Sequence, residues 1–249
     1  LPKTYPGDID INVEWRPRDL VGGDIYFIKD LPDKVYIAVV DCTGHGVPGA
    51  FLSIIARSHL DKAITADQYQ SAGKYLSQVN MLLKDTLSRT DQKNTNEEGF
   101  DGGVCIYYRN EKKLEFAGAK ASIFQVQTGG ASETSGDRKS VGSTRMKEGF
   151  EYTTHEILDP AGAFVMLTDG ITDVMSPEEK PIAFGRRRVL KLLQQATDRT
   201  PKYIVEKIMN SVDLYRGGAP FRDDLTLLSF SLNGTIAIEP SAQTSGDKV

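Results

Sequence analysis

Apolar and polar positions alternate early in the chain. In "IDINVEW", Ile9, Ile11, Val13 and Trp15 share one face, the period of a half-buried strand. Two further apolar runs follow, "DIYFIK" from Asp24 and "KVYIAVVD" ending at Asp41. The "DLPD" between them predicts a turn, and therefore an antiparallel hairpin. The period then lengthens. After Gly44 and Gly46, Pro48 opens a predicted helix, since proline suits a first helical turn, and Phe51, Ile54 and Ile55 mark its apolar face. Leu76, Val79, Leu83 and Leu87 fall at helical spacing and predict a second helix over 71–88. "TDQKNTNEEGF" is a polar loop.

Strand patterns return at 103–108, 114–117 and 122–127. The Gly/Ser-rich "TGGASETSGDRKSVGST" reads as a flexible hairpin loop. Strands are predicted at 152–157 and 163–169, helices at 185–196 and 202–215, and a last strand in "DDLTLLSFSL" from Asp223. The expected domain spans 1–235, with a loose tail over 236–249. Strands grouped apart from helices, with hairpin connections, predict a layered α+β domain of largely antiparallel sheets. Two packed sheets with helix pairs outside is the economical arrangement.

Composition narrows the function. A net charge of −4 argues against a nucleic-acid binder, which would present a basic face. Cys42 and Cys105 form no zinc-ligand spacing and point to a reducing, cytoplasmic setting. No apolar run reaches the ~18 residues of a membrane span, so this domain is not expected in the membrane. The chain opens on Leu1 rather than Met and is read as a domain of a longer protein.

Four aspartates stand where an apolar run meets glycine or polar residues. Asp24 begins a strand, Asp41 ends one before Gly44, Asp169 ends one in "FVMLTDGITD", and Asp223 begins one in "FRDDLTLL". Any one of them is ordinary turn chemistry. Four together suggest carboxylates gathered at the end of a rigid sheet, where they repel unless a cation lies between them. Oxygen ligands suit Mg2+ or Mn2+, and the lack of a Cys/His cluster disfavours zinc. A thiolate phosphatase is excluded: six residues after Cys42 stands Pro48, and six after Cys105 stands Glu111, where a phosphate-binding arginine is required. His59 and His155 are read as structural.

These motifs, in this order, resemble the metal-dependent PP2C protein phosphatases of the bacterial SpoIIE/RsbU-like branch. The resemblance rests on "WRPRDLVGGDIYF", "VVDCTGHGVPGAF", "LTDGITD", "FGRRRVLKLL" and "RDDLTLL", and spans Trp15 to Leu232. It implies an αββα sandwich with two divalent cations, Mg or Mn, at one end. By position, Asp41 would bridge both ions, Asp24 and the Cys42 carbonyl would hold one, and Asp169 and Asp223 the other. Asp224 ranks second to Asp223, and Asp101 lies near the place of a third, weaker ion. His45, four residues after Asp41, would protonate the leaving alkoxide. "AGAKASIF" departs from the branch's A-G-H-x-P segment, with Lys120 in the histidine region. Arg16 and Arg18 are candidate phosphate contacts.

The implied reaction is hydrolysis of a phosphoserine or phosphothreonine by a metal-activated water. The implied substrate is a small phosphorylated regulatory protein, an anti-sigma-factor antagonist or STAS-like domain. The resemblance also leaves room for a homodimer and for inner-membrane anchoring of the full-length protein, as in a membrane regulator of the SiaA type with sensor and HAMP segments upstream. The alternative is a catalytically silent docking module of the same fold. A two-metal nuclease fits the carboxylates but not the acidic charge.

Overall fold

The structure is a computed structural model and describes residues 8–65, 71–90, 98–143, 149–158 and 160–232. Residues 91–97 of the polar loop, and the tail, lie outside these residues. In chain order the elements are β1 (Ile9–Arg16), β2 (Asp24–Asp30), β3 (Lys34–Cys42), α1 (Gly46–Thr65), α2 (Ala72–Thr90), β4 (Phe100–Tyr108), β5 (Lys113–Ala119) and β6 (Ser122–Gln127). They continue with β7 (Gly130–Ser135), β8 (His155–Leu158), β9 (Ala163–Leu167), α3 (Asp169–Thr172), α4 (Gly185–Gln194), α5 (Pro201–Arg216) and β10 (Leu225–Leu232).

The strands form two five-stranded sheets, ordered β1-β10-β9-β6-β7 and β2-β3-β4-β5-β8, with every adjacent pair antiparallel. Their inner faces meet in a dry layer that includes Ile37, Val39, Cys105 and Phe116 from one sheet and Phe164, Leu228 and Phe230 from the other. The Phe164 and Phe230 rings stack at 5.2 Å. Helices α1 and α2 cover the outer face of the β3 sheet, and α4 and α5 cover that of the β10 sheet. This is the expected α+β, αββα sandwich.

The apolar face of α1 is turned away from the one predicted, and of its three marker residues only Ile55 packs against the core, partly buried. Phe51 and Ile54 are exposed, while Leu52, Ala56, Leu60, Ala63 and Ile64 pack on the sheet. Both stripes are apolar at the start of the helix. Only the second continues for three turns, because Ser58 and Lys62 interrupt the first, and the longer stripe buries more area. The segment read as a flexible loop contains β7, which pairs with β6 along its whole length. Its small polar residues join the sheet edge through backbone bonds, which no side-chain periodicity announces. The strand expected at 152–157 is shorter and later, as β8.

A charge fixes α2 to its sheet. Glu115 of β5 is 1% exposed, and its Oε2 accepts from the Ala72 amide at 2.8 Å and from Tyr108 Oη at 3.2 Å. The first turn of α2 has no acidic residue of its own, so a neighbouring strand supplies the anion that its free amides favour.

Candidate active site

Register brings three carboxylates into a row. In the β2–β3 ladder Asp24 is the direct partner of Asp41, and in the β3–β4 ladder Asp41 is the direct partner of Asp101. Like charges placed directly opposite on adjacent strands are destabilising, so the row costs stability unless something neutralises it. The other sheet adds two more. Asp169 is the first residue of α3, separated from β9 by Thr168 alone, and Asp223 stands two residues before β10. Neither belongs to a strand, a small shift from the sequence reading. Asp41, Asp101, Asp169 and Asp223 together line an open cleft of about 290 Å³.

Asp24 lies behind the cleft, 1% exposed. Its Oδ2 accepts from Thr168 Oγ1 at 2.7 Å and Thr226 Oγ1 at 2.9 Å. Burial pushes its pKa up to about 7, helped by the Asp224 and Asp169 charges and opposed by the two hydroxyls. Burial, then the charges of Asp24 and Asp169, pushes Asp41 up to about 10. Asp169 is also raised, first by burial, although its hydrogen bond with Asp41 works the other way. Two carboxyls in that contact need a shared proton or a cation between them.

Divalent cations fit this donor set. Among the described residues no group of three or more His, Cys, Asp or Glu side chains is gathered so as to hold a metal ion by itself. An open shell, completed by backbone oxygen and water, is the habit of Mg2+ and Mn2+ rather than zinc. A backbone donor stands close by. A Cβ on Gly23 would come within 2.9 Å of the Cys42 carbonyl oxygen and 2.6 Å of that of Gly44, so only glycine lets the chain pass there. The Cys42 thiol points into the core, and burial, then the Asp41 and Asp24 charges, holds it well above the usual thiol range. It is no nucleophile at neutral pH.

The remaining sequence candidates separate. His45 lines the cleft, and its Nδ1 is 3.4 Å from Asp19 Oδ2. Lys120 also lines it, with Nζ 3.5 Å from Asp101 Oδ2. Arg16 and Arg18 are not among the cleft-lining residues. The Arg16 guanidinium meets Glu14 and Asp213, and that of Arg18 donates to the Arg222 carbonyl. Asp224, 3% exposed, has a job apart from the cleft: its carboxylate accepts from the Arg18 amide at 2.7 Å and the Gly23 amide at 2.6 Å. It pins the loop between β1 and β2 against the start of β10. Sequence reading missed Thr168 and Thr226 as the hydroxyls that seat Asp24. Their signal was their position, one residue before Asp169 and two after Asp224.

The sequence profile of the SpoIIE family, stage II sporulation protein E, matches residues 32–233. The chain belongs to the SpoIIE family. Among solved structures, the SiaA-PP2C domain of Pseudomonas aeruginosa is 32% identical, with 88% of this chain and 85% of that one covered and a TM-score of 0.76. The PP2C phosphatase domain of SpoIIE from Bacillus subtilis, solved with a fragment of its regulatory domain, shares the fold at 18% identity and a TM-score of 0.73 over 90% of this chain and 63% of that one. The catalytic domain of the serine/threonine phosphatase PstP, in complex with two manganese ions, does so at 12% identity and 0.61, over 91% and 99%. A search of curated proteins returned no match. As a member of this family the chain is a PP2C-type protein serine/threonine phosphatase, a hydrolase. Among the described residues no helix is long and apolar enough to cross a membrane.

Proposed function

We propose that this domain removes phosphate from a phosphoserine or phosphothreonine on a small regulatory protein, an anti-sigma-factor antagonist or STAS-like domain, using two divalent cations. The observation that carries the reading is the contact of Asp41, on β3 of one sheet, with Asp169, at the start of the helix that follows β9 of the other, inside a cleft lined by further carboxylates. Asp41 would bridge the ions. Asp24 and the Cys42 carbonyl would complete one site, and Asp169 and Asp223 the other. Asp101 is left for a third, weaker ion or for its ion pair with Lys120.

Cations held there would supply a water of lowered pKa as nucleophile and would offset the charge of the phosphoryl oxygens. The protein's part is placement. Thr168 and Thr226 orient Asp24, and Asp224 holds the Gly23 amide so that the loop stays against the Cys42 carbonyl. His45, held by Asp19 at the cleft wall, donates a proton to the departing seryl or threonyl oxygen. No side chain attacks phosphorus, so no phosphoenzyme forms.

Phosphate release from a phosphorylated STAS-like protein tests the reading, with Mg2+ and Mn2+ compared against a chelator. Metal-dependent release that Asp41→Ala and Asp169→Ala each reduce by at least ~1,000-fold is expected, a loss of about 4 kcal/mol of transition-state stabilisation. Unchanged release in either variant would remove the two-metal assignment. No release by the wild type from any phosphoprotein would favour the silent docking module.

A further inference from the structure

We propose that Lys120 binds the phosphoryl group: its ammonium takes a phosphoryl oxygen in the cleft while Asp101 keeps it in place. The proposal rests on the reading of this cleft as the phosphatase site. A phosphate monoester carries between one and two negative charges near neutral pH. It must enter a cleft lined by five carboxylates, those of Asp41, Glu98, Asp101, Asp169 and Asp223. Among the described residues that line the cleft, Lys120 is the only lysine or arginine.

Its position is built rather than incidental. The Nζ lies 3.5 Å from Asp101 Oδ2, and Asp101 is the direct ladder partner of Asp41. The ammonium is thereby delivered beside the carboxylate that would bridge the cations. The backbone below it is fixed on both sides. The Lys120 amide donates to the Asp137 carbonyl at 2.6 Å, and the residue forms an isolated parallel bridge with Gly102.

Stability does not explain a lysine here. Lys120 has φ of 51°, in the left-handed region that favours glycine and costs any other residue. Its ion pair is half exposed, with side-chain exposures of 51% and 40%, and pairs of that kind contribute little to folding. A strained backbone carries a side chain whose one evident partner among the described residues is a weak, half-exposed ion pair. That combination belongs to a residue kept for a ligand. Lysine recognises phosphate as a point charge on a flexible stem and needs no bidentate geometry.

The test uses the metal-loaded chain and the variants Lys120→Gly and Lys120→Arg. Three quantities are measured: KM and kcat for a phosphoprotein, the inhibition constant of inorganic phosphate, and the melting temperature. Glycine relieves the left-handed strain, so Lys120→Gly is expected to melt at or above the wild-type temperature. It should nonetheless raise both KM and the phosphate inhibition constant about tenfold, as expected for a lost charged contact. Lys120→Arg should recover most of the loss. An unchanged phosphate inhibition constant in Lys120→Gly, or a loss that arginine does not recover, overturns the proposal. Calorimetric titration with inorganic phosphate reads the same contact without turnover, so failure of the lysine and failure of the phosphatase reading are told apart.

Discussion

Asp41 and Asp24 make the metal-free protein sensitive to pH. Their folded pKa values, about 10 and about 7, lie above the ordinary 3.8. The native state therefore holds more protons than the unfolded one across that interval, and stability falls as pH rises. Asp24 contributes to the loss up to about pH 7, and Asp41 further, toward about pH 10. In chelator, the melting temperature should drop steadily from about pH 5 to about pH 9. Asp41→Asn, which keeps the shape and removes the charge, should flatten that slope and raise the melting temperature at the alkaline end while abolishing phosphate release. Equal slopes in variant and wild type would contradict this. Asp224 makes a different prediction. Asp224→Ala leaves the Arg18 and Gly23 amides without their carboxylate and should cost about 2–3 kcal/mol in denaturant unfolding. A variant with unchanged metal-free stability and weakened cation binding would instead make Asp224 a ligand.

At the scale of elements, what was legible depended on how many stripes a segment carries. Helix α2 has one apolar stripe, and Leu76, Val79 and Leu83 are buried as their spacing predicts. Helix α1 has two, and spacing alone chose the wrong one; the sheet below it decided. Leu60 is 1% exposed and Phe51 is 65% exposed. Leu60→Ala should therefore cost about 2–5 kcal/mol. Phe51→Ser should stay within about 0.5 kcal/mol, despite the larger apolar side chain removed. Urea unfolding of the two variants checks the order, and the reverse order would mean that α1 is turned the other way. Strand β7 and the Glu115 cap on α2 were not legible for a related reason. One is held by backbone pairing, the other by a residue more than 40 positions away in sequence, and neither leaves a local pattern.

At the scale of the molecule, the layer order followed from the grouping of strands and helices. The partners of each strand did not: that β1 lies beside β10, at the far end of the chain, appears only in the folded protein. The same pairing assembles the site. The aspartates were visible as residues at the ends of apolar runs, but their convergence comes from two sheets meeting at one end, with Asp24, Asp41 and Asp101 in register on one and Asp169 and Asp223 supplied by the other. Their mutual repulsion is a cost to the fold that bound cations would remove. Mn2+ binding to the chain, counted by isothermal titration calorimetry, tests this most directly. Two ions per chain are predicted for the wild type, with Asp41→Asn losing both high-affinity sites and Asp169→Asn losing one. Undiminished binding of two ions by Asp41→Asn would contradict the account.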